Sequence, residues 1–99
     1  MKNLIDLLVK HEGLRTKPYE DTVGVLTIGV GRNLDDVGLS HDEIYYMLKN
    51  DIRRCEEELN NAFRWYKDID QARKDAMINL CFNLGISRLR KFKLALSPS

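Results

Sequence analysis

The sequence predicts a mainly α, α+β fold: a small β-hairpin lobe near the N-terminus, a long connecting helix, and a short, incomplete helical lobe. Three observations predict it. Ser40-His41-Asp42-Glu43 is a capping box, and it opens a stripe of Ile44, Leu48, Ile52, Cys55, Leu59 and Ala62 at helical spacing. VLTIGVG, residues 25–31, alternates apolar and small residues as a strand does. Two shorter helical patterns follow, one from Asp70 to the stop at Gly85 and one from Ser87 to Leu96.

In chain order, Asn3 can cap a first helix carrying Leu4, Ile5, Leu8 and Val9, which Gly13 ends where left-handed geometry is favoured. Beyond Pro18 the chain should be extended. Asp21-Thr22-Val23-Gly24 has turn chemistry and leads into a strand from Val25 to Val30. The capping box, flanked by Leu39 and Ile44 at the two staple positions, starts a helix of roughly twenty residues. Arg53, Arg54 and Glu56 to Glu58 read as its solvated face, and Trp65 and Tyr66 as core or rim at its end. Ala72, Ala76, Ile78, Leu80, Cys81 and Leu84 line the next helix, and Leu89, Phe92 and Leu96 the last. One domain therefore spans 1–99, with a lobe at about 12–40, a connecting helix at about 41–63 and a partial helical lobe at about 70–96.

Composition narrows the function classes. At 99 residues, with 43% apolar and 31% charged, the chain can bury one small core. The net charge of +1, without a recognition motif, argues against nucleic acid, although residues 86–99 carry Arg88, Arg90, Lys91 and Lys93 and no acid. Cys55 and Cys81 both fall in helical apolar patterns and read as reduced core thiols. Their separation matches no metal-ligand spacing, and His11 and His41 lack a second ligand at a suitable offset, so neither metal nor cofactor is expected. MKNLIDLLVKHEG is interrupted by Asp6 and Lys10 before a signal-peptide core forms, and no stretch is long enough to insert in a membrane. The expected location on synthesis is the cytoplasm.

The chemistry concentrates in HEGLRTKPYEDTVGVLTIGVGRN, residues 11–33. Alternation places Leu26, Ile28 and Val30 on one strand face, the expected core side, and Val25, Thr27, Gly29 and Gly31 on the other. Two glycines at alternate positions suggest close approach of another group to that face. Glu12 falls at the C-terminal end of the first helix, where the negative end of the dipole favours a protonated carboxyl, the form a general acid requires. Asp21, in a turn beside backbone donors, should stay ionised. Two carboxyls in such different settings suit glycoside hydrolysis. The spacing by itself favours a plain polar loop, since paired acids on loops are common and most do nothing catalytic.

These residues resemble the active-site region of the phage-type, T4-lysozyme-like endolysins of glycoside hydrolase family 24. The family's E-G-x-R-x-x-x-Y and T-x-G-x-x-T-I-G-x-G patterns are matched without a gap by Glu12 to Tyr19 and Thr22 to Gly31. Ser40 to Asp51 is similar to the start of the family's long interdomain helix, and INLCFNLG, residues 78–85, to its buried central helix. The resemblance implies a lysozyme-like fold and muramidase action on the β-1,4 bond between N-acetylmuramic acid and N-acetylglucosamine, with inversion. It implies Glu12 as general acid, Asp21 and Thr27 positioning the water, Asn33 and Phe82 lining the saccharide cleft, and an ion pair between Arg32 and Asp51. It also implies helices beyond the last one here and, for access to the wall, a membrane-permeabilising partner. Without those helices the alternative is a catalytically impaired remnant, a truncated module that binds glycan or protein. The stripe Leu89, Phe92, Leu96 would then be open to fraying or to a homodimer contact.

Overall fold

A computed structural model describes residues 2–91 of the chain. It divides into two compact units, residues 1–43 and 44–99.

In the first unit, α1 (Lys2–Glu12) is followed by a three-stranded antiparallel sheet of β1 (Arg15–Glu20), β2 (Leu26–Gly29) and β3 (Arg32–Asn33), in that order. Asn3 lies inside the first turn of α1 rather than at its cap, because the helix already includes Lys2. Gly13, at φ +80°, ends it, and the Gly13 N–H donates to the Val9 carbonyl at 2.8 Å. The register pairs Tyr19 with Thr27 and Glu20 with Leu26, with a bulge between Arg15 and Tyr19. That bulge contains Pro18, which has no N–H to give to a ladder.

Two expectations for this region are corrected. The strand stops at Gly29, and β3 pairs back onto it through Thr27–Asn33 and Ile28–Arg32. Gly29 and Gly31, at φ +71° and +70°, supply the left-handed backbone of the connection. The face expected to be solvent-poor is also the wrong one. Leu26 is 42% and Val30 37% exposed, whereas Thr27 is 4% exposed, on the central strand between Tyr19 and Asn33.

α2 (His41–Ala62) starts as its capping box dictates: the Ser40 N–H donates to Glu43 Oε1 at 2.8 Å, and the Glu43 N–H donates to Ser40 Oγ at 3.2 Å. Its apolar stripe is used unevenly. Cys55 and Leu59 are buried, while Ile44 and Leu48 near its start are exposed.

In the second unit Cys55 and Leu59 pack with Phe63, Tyr66, Met77, Cys81 and Leu89 in one core. A single 3-10 turn, Tyr66–Asp68, delivers Tyr66, and the Phe63 and Trp65 rings lie 5.1 Å apart. α3 (Gln71–Leu84) is capped by Asp70, whose carboxylate accepts from the Arg73 N–H at 2.9 Å. Gly85, at φ +79°, closes it and leads into α4 (Ile86–Lys91), so Ser87 lies within that helix instead of capping it.

Leu89 corrects the view of the last stripe. At 1% exposure it belongs to the core, and Phe92 and Leu96 lie outside the described residues. Leu89→Ala is expected to cost about 2–5 kcal/mol, because it opens a cavity in a small core. Ser40→Ala, which removes an exposed cap, should cost about 1 kcal/mol. Urea denaturation followed by circular dichroism measures both.

Candidate active site

The first unit holds the three residues expected to do chemistry, and each is positioned by a different local device. Glu12 is the last residue of α1, and its side chain lies directly against the backbone of Gly31. A Cβ built on Gly31 would stand 3.3 Å from Glu12 Oε2 and 3.5 Å from its carboxyl carbon. A Cβ there would press on the acid, which would have to shift by a few tenths of an ångström. Gly29 has no heavy atom within 4 Å of its would-be Cβ. Of the two glycines, then, Gly31 provides the close approach and Gly29 serves the backbone turn alone.

Asp21 and Thr27 are organised by one residue between them. Asp21 Oδ1 accepts from the Val23 and Val25 N–H groups, each at 2.9 Å. Thr27 Oγ1 donates to the Val25 carbonyl at 2.9 Å, and the Asp21 N–H donates to that same carbonyl at 2.9 Å. The Asx turn thus fixes the carboxylate, and the Thr27 proton is committed to the backbone. The hydroxyl oxygen keeps its lone pairs for accepting a hydrogen bond. Sequence reasoning found both side chains but not Val25, whose role is carried by its main chain and leaves no side-chain signal.

Asn33 is engaged in its own loop. Its side-chain amide donates to Asp36 Oδ2 at 3.1 Å, and its Oδ1 accepts from the Asp36 N–H at 2.9 Å. Phe82, in the second unit, is 44% exposed on α3 and is therefore not a core residue. It lines an open apolar groove with Leu48, Ile52 and Ile78, edged by Asp75, Asn79 and Asn83.

Asp51 is the expected partner of Arg32; within the first unit Arg32 meets Glu43. Arg32 Nη1 pairs with Glu43 Oε2 at 2.5 Å and donates to the Gly38 carbonyl at 3.4 Å. Asp51 pairs instead with Arg54, one turn along α2, at 3.0 Å. The physical reason is proximity. Glu43 is already held at the helix start by Ser40, so the loop from β3 brings Arg32 to a prepared carboxylate. The Arg32 guanidinium, then the Ser40 N–H and hydroxyl, lower the Glu43 carboxyl to about 2. Arg32 and Glu43 also border a recess with Ile28, Gly29, Val30 and Leu39.

Glu12, Asp21 and the backbone-anchored hydroxyl of Thr27 thus belong to one glycine-rich unit of the fold. The Phage lysozyme family model matches residues 9–97, and the chain belongs to that family. Among curated proteins it is similar to the SAR-endolysin of Haemophilus phage HP1 (strain HP1c1), at 32% identity over 89% of this chain and 48% of that protein. The endolysin of Salmonella phage P22 is 30% identical over 86% of this chain and 62% of its own length. A probable T4-type lysozyme 1 of Dictyostelium discoideum is 27% identical over 97% and 74% respectively. The chain thus spans about half to three quarters of the length of these relatives. Among the described residues, no helix is long and apolar enough to cross a membrane.

Two outcomes follow from this geometry. Gly31→Ala and Gly29→Ala should each cost about 1–2 kcal/mol of backbone strain. Only Gly31→Ala should also shift the Glu12 side-chain carboxyl resonance in a 13C NMR spectrum, because only that Cβ meets the acid. The Glu43 carboxyl, depressed in the folded state, contributes stability that is present above its ordinary value of 4.5 and lost as pH falls toward 2. Thermal midpoints measured from pH 6 to pH 2 should fall through that window in the parent chain, and less steeply in Glu43→Gln.

Proposed function

We propose that the chain is the catalytic part of a peptidoglycan-degrading lysozyme, which hydrolyses the β-1,4 bond between N-acetylmuramic acid and N-acetylglucosamine with inversion. The single observation that carries this reading is the shared anchor at Val25. It sets the Asp21 carboxylate and the Thr27 hydroxyl on one main-chain frame, in the same unit as Glu12 on Gly31.

Glu12 acts as general acid and protonates the glycosidic oxygen as the bond to the anomeric carbon breaks. Asp21, held by two N–H groups through Oδ1, takes a proton from a water on the opposite face of the sugar. Thr27 orients that water by accepting its second hydrogen, since its own proton is given to the Val25 carbonyl. The water oxygen then attacks from the face opposite the leaving group, so configuration inverts. The exposed Phe82 ring offers an apolar face for a sugar ring, and the second amide hydrogen of Asn33 a donor. The enzyme would meet its polymer after passage through a membrane-permeabilising partner.

Glu12→Gln should lower the rate of peptidoglycan clearing by about 10²–10⁴-fold without loss of fold. Proton NMR of the first-formed reducing end should show the α anomer. If the parent chain binds peptidoglycan in a pull-down but releases no reducing ends, the non-cutting glycan-binding module is the correct reading.

A further inference from the structure

The second unit brings together three groups that the sequence keeps far apart. The sulfurs of Cys55 and Cys81 and a carboxylate oxygen of Glu58 all lie within 4.8 Å of one another. Cys55 and Glu58 are three residues apart on α2 and so share one helix face, and Cys81 reaches them from α3. Both cysteines are buried, while Glu58 is half-buried and connects the sulfurs to solvent.

Helix spacing puts Glu58 beside Cys55, and the packing of α3 adds Cys81, so two thiols and a carboxylate converge at one place. One polar group in the same core is unsatisfied. The Tyr66 hydroxyl is buried without a hydrogen-bond partner.

We propose that Cys55, Glu58 and Cys81 form a binding site for one thiophilic divalent cation of the zinc and cadmium class, with water as the fourth ligand. Metal–sulfur bonds of about 2.3 Å and metal–oxygen bonds of about 2.0–2.2 Å at tetrahedral angles separate ligand atoms by roughly 3.6–3.8 Å. The three donors therefore need to contract by about 1.2 Å at most. On binding, two metal–sulfur bonds and one metal–oxygen bond form, two thiol protons pass to solvent, and nothing is oxidised or reduced. Arg54, whose Nε is 3.9 Å from Glu58 Oε1, joins the dication in balancing the two thiolates and the carboxylate. The bound ion would cross-link α2 to α3 in the centre of the unit's core.

Cadmium chloride titrated into the full chain, kept reduced with a phosphine, tests the site. The expected result is a thiolate-to-metal charge-transfer band that saturates at one equivalent, with a rise in thermal midpoint. Cys55→Ser and Cys81→Ser should each abolish it. Because either serine variant can fail to fold, Glu58→Gln provides an independent test at a half-buried position. It should fold and bind cadmium at least about tenfold more weakly. No band at equimolar cadmium in the folded chain, or a Glu58→Gln variant that binds as tightly as the parent, would overturn the proposal.

Discussion

The candidate site depends on the contact between the Glu12 carboxyl and the bare backbone of Gly31. The contact needs three things at once: α1 must end at Glu12, the chain must reverse at Gly13, and the β2–β3 connection must turn where no Cβ intervenes. Gly29 and Gly31 both adopt φ values that cost other residues about 1–2 kcal/mol, so the hairpin is built from residues for which that conformation is unstrained. The acid then lies against main chain rather than among mobile side chains. Placement by backbone limits how far a catalytic group can drift, and a drift of about 1 Å is enough to cost a large factor in rate.

The same economy governs the rest of the hairpin lobe. Val25 gives its N–H to Asp21 and its carbonyl to Thr27, so two side chains share one anchor. Ser40, Glu43 and Arg32 form a second anchor, in which the helix cap holds the carboxylate that receives the guanidinium. Both anchors are polar, and Thr27 is the side chain of the sheet they most enclose. The lobe is thus ordered mainly by hydrogen bonds and turn geometry, with little apolar burial behind it.

Apolar burial is concentrated in the second unit, around Leu59, Phe63, Tyr66 and Leu89. Elsewhere large apolar side chains remain open to solvent: Leu4, Ile5 and Leu8 on α1, Ile44 and Leu48 on the first turns of α2, and Phe82 on α3. Exposed apolar surface on this scale marks faces that other surfaces cover.

Local chemistry was readable from the residues themselves. The capping box at Ser40, the Asp70 cap, the stop glycines Gly13 and Gly85 and the Asp21 turn all form as their types require, because each is a contact within about four residues. The candidate acids, Thr27 and the family membership were legible for the same reason, since one short stretch carries them. Periodicity was less informative about which positions are buried. A stripe shows which residues share a face but not whether anything covers that face, so Leu26 and Ile44 read as core and are exposed. The Arg32 partner, the seating of Glu12 on Gly31 and the meeting of Cys55 with Cys81 were decided by tertiary structure alone. Each joins residues whose separation in the chain carries no rule of its own, and only the folded path of the backbone brings them within a few ångströms.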